Sequence, residues 1–179
     1  MNCIVIFGSS RPKPEEPQYE EARKLGKELA RAGFIICNGG YGGTMEASAR
    51  GAHESGGHTI GVICERFGLV ANQYIQETIV TKTHSDRLHK LIELGDAYVV
   101  LRGSTGTLVE FALVWEYINK SIMQEKPIIV LGQFWKPVIE TLNEEFMFEG
   151  KERATKYVTI VKTIEECVER LKQTFTPKF

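Results

Sequence analysis

No apolar run in the 179 residues approaches the roughly 20 that a membrane-crossing helix needs, so no membrane partner is expected. Nor does one sign of charge dominate. The 22 lysines and arginines and the 23 aspartates and glutamates are interspersed and leave a net charge of −1. That balance argues against nucleic acid or an anionic membrane as the main partner, while allowing a local basic pocket. Cysteine is scarce: Cys3, Cys37, Cys64 and Cys167 lie far apart and form no C-x-x-C pair. They read as reduced, mostly buried thiols of a cytoplasmic protein. Met1 leads almost directly into a strand, so no signal peptide is expected. Linkers, low-complexity segments and repeat arrays are also lacking, which predicts one domain over residues 1–179.

Two familiar nucleotide signatures are missing as well. There is no G-x-x-x-x-G-K-[ST], which argues against ATP hydrolysis of the P-loop kind. A dinucleotide fingerprint needs G-x-G-x-x-G in the first strand-turn-helix unit, but the first turn here is Gly8-Ser9-Ser10. The later Gly40-Tyr41-Gly42-Gly43-Thr44-Met45 has methionine where the last glycine belongs. His84 and His89 are spaced i, i+5 rather than i, i+4, face different ways on a helix and have no evident third ligand, so no metal is expected. Lys90 has nothing near it in the sequence to make a pyridoxal site, and no cofactor is expected.

What the sequence does contain is a regular alternation. Short apolar runs at 3–7, 34–37, 59–64, 78–81, 97–101, 127–131 and 157–161 read as strands. Between them lie amphipathic segments. One ends near Arg31 at Gly33 and carries Ala22, Leu25 and Leu29; the next opens at Thr44 with Met45, Ala49 and Ala52 inward. A third spans Ser85–Leu94, a fourth has Leu108, Phe111, Ala112 and Trp115 on one face, and a fifth spans Gln133–Phe146 with Trp135, Val138, Ile139 and Leu142 in register. The last carries Ile164, Cys167, Val168 and Leu171. This pattern predicts an α/β fold, a Rossmann-like open parallel sheet with helices on both faces.

Three strand-to-helix turns are rich in glycine and hydroxyls: Gly8–Ser10, Asn38–Thr44 and Arg102–Thr107. In an open parallel sheet such turns line one edge, and ligands bind where the strand order reverses. Unpaired N–H groups and the positive helix end in such turns suit a phosphate. Candidate phosphate-binding residues are Gly103, Ser104, Thr105, Gly106 and Thr107; candidate nucleotide-binding residues are Ser9, Ser10, Gly39, Gly40, Gly42 and Gly43. Glu110 sits about one turn into the helix that follows, where a carboxylate holds phosphate poorly and suits chemistry on something attached to it. Arg87 also stands near a helix start. The pair is either a structural ion pair at the sheet edge or a catalytic carboxylate with its arginine.

The stretch Arg102-Gly103-Ser104-Thr105-Gly106-Thr107-Leu108-Val109-Glu110 resembles the P-G-G-x-G-T-x-x-E signature of the Lonely Guy family, the cytokinin riboside 5'-monophosphate phosphoribohydrolases also called lysine decarboxylase-like. It matches at Gly103, Gly106, Thr107 and Glu110 and departs at Arg102 and Ser104. The family's M-H-x-R-K motif falls on His84-Ser85-Asp86-Arg87-Leu88, where only Arg87 matches. Gly8-Ser9-Ser10, Asn38–Met45 and Gly56–Val62 are similar to other family turns, so the resemblance covers most of the chain. It implies a homodimer or larger homo-oligomer that hydrolyses the N-glycosidic bond of a nucleoside 5'-monophosphate to free base and ribose 5-phosphate. Arg87 and Glu110 would be the catalytic pair and Gly103–Thr107 the phosphate cradle. Relatives on the same fold include molybdenum cofactor carrier-like proteins, which implies the alternative of a binding or carrier protein for a phosphorylated nucleotide or molybdopterin-type ligand.

Overall fold

The computed structural model describes residues 1–176; the last three residues of the expected domain lie outside that range. Seven strands form one sheet: β1 Cys3–Phe7, β2 Ile35–Asn38, β3 Thr59–Cys64, β4 Glu77–Thr81, β5 Ala97–Val100, β6 Ile128–Leu131 and β7 Val158–Val161. Every pairing is parallel, as the alternation predicts, and the order is β4-β3-β2-β1-β5-β6-β7. The order reverses at β1. Its neighbours are β2, with Cys3 opposite Ile35, and β5, with Ile4 opposite Ala97. The carboxyl ends of β2, β1 and β5 are therefore side by side, and the three glycine-rich turns meet there.

The helices are α1 Pro17–Arg31, α2 Thr44–His53, α3 His84–Leu94, α4 Thr105–Asn119, α5 Lys136–Phe148 and α6 Ile164–Phe175, with a 3-10 turn over Glu152–Lys156. Strand residues alternate between two cores, as the two-residue strand period requires. Ile4, Ile6, Val99 and Ile129 pack beneath α1, α2 and α6 with Leu25, Ala52 and Leu171. Val5, Phe7, Tyr98, Val100 and Val130 pack beneath α3, α4 and α5 with Leu91, Phe111, Trp115 and Ile139. Fully burying each such aliphatic side chain contributes about 1.5–3 kcal/mol, so both faces are firmly closed. All four cysteines are buried free thiols inside this sheet and its helices. Burial pushes the Cys167 thiol up to about 12. No helix among the described residues is long and apolar enough to cross a membrane.

Some boundaries and phases differ from expectation, each for a local reason. The fifth helix starts at Lys136 rather than Gln133 because Pro137 sits in its first turn, where a missing N–H costs nothing. Leu142, expected inward, is 37% exposed; Phe146 instead takes the place against the Trp115 ring. On α4 the buried stripe is Thr107, Phe111, Val114, Trp115 and Ile118, while Ala112 is exposed. Its sequence is apolar nearly all round, so periodicity alone leaves the phase open. Trp115 and Ile118 are both packed into the second core.

Candidate active site

The cleft is built by helix starts. Thr83 caps α3: its hydroxyl accepts from the Asp86 N–H at 3.1 Å, and the Asp86 carboxylate accepts from the Thr83 N–H at 3.1 Å. This reciprocal box starts the helix at His84, one residue earlier than periodicity predicts. Starting there puts His84 and Arg87 three apart, on one face of α3. The α4 start is different. Ser104 stands at the N-cap with no side-chain hydrogen bond to the helix. The N–H groups of Thr105, Gly106 and Thr107 have no acceptor among the described residues.

The two glycine-rich turns thus part ways. At the α2 start, the Thr44 N–H and hydroxyl both donate to the Ser9 carbonyl, at 2.8 and 3.0 Å. The first N–H of α2 is thus taken by the protein, while the first three of α4 are open. Gly103 is needed at the α4 turn because a Cβ there would lie 2.0 Å from the Thr107 hydroxyl.

Arg87 is buried and fully engaged. Its Nε donates to the Val62 carbonyl at 2.8 Å and its Nη2 to the Gly39 carbonyl at 3.2 Å. The guanidinium also lies over the Tyr41 ring, 5.7 Å from its centre. That leaves Nη1, which stands 3.6 Å from Glu110 Oε1. The two side chains are 6% and 12% exposed, so this pair is largely out of water. An arginine beside a carboxyl favours its ionised form. Arg87 does pull the carboxyl down, but burial outweighs it and pushes Glu110 up to about 7. At 3.6 Å the pairing is loose, with no second contact to recover the lost hydration.

Gly39 is packed behind the arginine. A Cβ there would lie 1.7 Å from Arg87 Nη2, so Gly39→Ala must displace the guanidinium. The expected outcome is a loss of about 1–3 kcal/mol in urea unfolding, typical of overpacking, together with impaired turnover.

Around Arg87 and Glu110 lies a cavity of about 520 Å³. Of the residues expected from sequence, Ser9, Ser10, Arg87, Ser104, Gly106, Thr107 and Glu110 line it together. Gly103 and Thr105 complete the α4 turn without lining it. Gly39, Gly40, Gly42 and Gly43 lie behind the wall, and Tyr41 and Met45 from the same turn face the space instead. Arg102, where the motif departs from the family signature, does not line the cavity; its guanidinium sits 4.8 Å from the centre of the exposed Phe134 ring. His89 is engaged elsewhere, within 2.7 Å of the Ser85 carbonyl and of the Tyr117 hydroxyl.

Sequence reasoning missed Tyr41, Met45, Phe67 and His84 as cavity residues. Phe67 belongs to the segment between β3 and β4 and is brought in by the fold. The Tyr41 hydroxyl accepts from the Cys64 N–H at 2.8 Å and lies 2.9 Å from the Gly68 carbonyl, so the two loops are tied. Nothing local in the sequence signals that tie. For His84, the T-x-x-D pattern of the capping box was a usable signal.

Residues 1–168 match the SLOG cluster4 family. A Mycobacterium tuberculosis protein named cytokinin riboside 5'-monophosphate phosphoribohydrolase is 32% identical over 133 residues, covering 72% of this chain and 69% of that protein. One of the same name from Rhodococcoides fascians is 28% identical over 155 residues, covering 82% and 76%. Among solved structures, the molybdenum cofactor carrier protein of Chlamydomonas reinhardtii superposes with a TM-score of 0.78 at 24% identity over 96% of each chain. At that identity it shares the fold. With the family match running over nearly the whole length and the signature glutamate and arginine facing each other at the reversal of strand order, the chain belongs to the SLOG cluster4 family, a Lonely Guy-like group.

Proposed function

We propose that the cleft hydrolyses the N-glycosidic bond of a nucleoside 5'-monophosphate, of the AMP or cytokinin riboside monophosphate type, releasing the base and ribose 5-phosphate. The observation that carries this reading is the placement of Glu110. It is a buried carboxyl facing Arg87, one turn beyond an open helix start, in one cavity. The N–H groups of residues 105–107 and the positive end of α4 suit the 5'-phosphate. About 4.5 Å of helix rise separates Thr107 from Glu110, which sets the carboxylate beside the sugar when the phosphate is at the turn.

Cleavage of such a bond passes through an oxocarbenium-like sugar. The C1'–N bond breaks with its electron pair going to the base, which takes up a proton. Water attacks C1' and gives its proton to Glu110, whose negative charge also faces the developing cation. Arg87, bound to two carbonyls, fixes the carboxylate and leaves phosphate binding to the α4 turn. The relatives named phosphoribohydrolases support the activity.

Glu110 must be ionised to act as base. With its carboxyl at about 7 in the free protein, kcat/KM is expected to rise with pH up to about 7 and then level off. A profile already flat from pH 5 would assign the base role to another group. Incubating the protein with AMP and separating adenine by chromatography tests the reading itself. Saturable binding with no adenine released, across purine and pyrimidine monophosphates, would favour a carrier.

A further inference from the structure

The strand order also fixes the order of turns along the cleft. After β5 comes the α4 start, after β1 Gly8–Ser10, after β2 Tyr41, and after β3 Phe67. At about 4.8 Å per strand, the β3 turn stands roughly 14 Å from the α4 turn. That span suits a phosphate, a pentose and a planar ring laid end to end. The far end is aromatic. Phe67 packs edge-on against both Tyr41 and His84, with ring centres 6.4 and 5.2 Å apart, and it remains 53% exposed.

His84 is the unusual member of this group. Its Nδ1 is buried and has no hydrogen-bond partner among the described residues. A buried polar atom left in this state is costly, and a turn of the ring at the cavity wall that brings it to a ligand removes the cost. Burial and the neighbouring Arg87 hold the ring below the ordinary imidazole range, so at neutral pH it is uncharged. A neutral imidazole offers one N–H and one lone pair, the complement of a heterocycle edge that mixes donors and acceptors. Nothing in the reaction proposed above uses this group.

We propose that His84 is a specificity-determining residue: its imidazole hydrogen-bonds the edge of a planar heterocyclic base held against the Phe67 ring. The cleft then selects nucleotides over sugar phosphates that lack a base. This rests on the nucleotide reading of the same site.

The test is calorimetric titration of Glu110→Gln protein, in which turnover does not interfere, with AMP and with ribose 5-phosphate. His84→Met keeps the bulk and removes the polar atom. It is expected to weaken AMP about ten-fold and leave ribose 5-phosphate unchanged. His84→Asn, which restores a donor and an acceptor, is expected to recover most of the loss. Phe67→Ala is expected to weaken AMP by ten-fold or so, the typical worth of one aromatic stacking partner, again without affecting ribose 5-phosphate. Equal weakening of both ligands by His84→Met would show that the ring only packs the loop, and unchanged AMP affinity would show that it does not touch the base. Either result overturns the assignment to His84 and leaves the nucleotide reading standing. Failure of the parent protein to bind AMP at all overturns both.

Discussion

Arg87→Met is expected to abolish base release from AMP and to lower stability by about 2–6 kcal/mol, the cost of leaving two buried carbonyls without a donor. Two carbonyls, of Val62 and Gly39, lose their donor, and the Glu110 carboxylate loses its neighbouring cation. The carbonyls cannot adapt, because Val62 lies inside β3 and Gly39 opens the turn after β2. Glu110 adapts by staying protonated, since burial then acts on it with no arginine to oppose it. The variant therefore loses its base as well as its anchor. In a chain of this size the stability change corresponds to a fall of roughly 10 °C in Tm, read by scanning calorimetry. Arg87→Lys should recover little, because a single ammonium cannot serve three acceptors in a fixed fork. Wild-type Tm and wild-type adenine release in Arg87→Met would remove the arginine from both roles.

Glu110→Gln has the opposite stability signature. The carboxyl titrates at 4.5 ordinarily and about 7 in the folded protein. Between those values the folded state holds a proton that the unfolded state has released. Folded protein is therefore favoured at low pH, and that advantage is lost as pH rises through 7. Over the whole interval the loss is about 3 kcal/mol. Glutamine does not titrate, so the variant should lack this slope and be more stable than wild type at pH 8. Its turnover of AMP should fall by about 10²–10⁴-fold, the range for removing a positioned general base. Binding of the phosphate end should persist, since the α4 turn is untouched. Urea unfolding from pH 5 to 8, run beside adenine release, separates these effects. Parallel stability profiles for the two proteins would mean that Glu110 is not the buried titrating group.

Both results turn on residues that were legible before the fold. The strand-helix alternation carried the sheet, and the Gly103, Gly106, Thr107 and Glu110 positions carried the site. Arg87 could be singled out by its helix start and its motif position, but not its contacts, which come from β3, the β2 turn and α4. What escaped was context. The charge state of Glu110 is a contest between burial and Arg87, and sequence gives the sign of each contribution but not the balance. The difference between the two glycine-rich turns depends on the Ser9 carbonyl reaching Thr44, a contact between neighbouring strand ends. Phe67 enters through a loop tied by the Tyr41 hydroxyl, across 27 residues of chain. The phase of α4 was hidden by its excess of apolar residues, and only Thr107 at the cleft pins it.

The most direct test of the account is a crystal structure of the Glu110→Gln protein soaked with AMP. The expected result places the 5'-phosphate on the N–H groups of residues 105–107, with C1' of the ribose facing residue 110 and the base toward Phe67 and His84. A phosphate seated elsewhere, or a ribose turned away from residue 110, would contradict it.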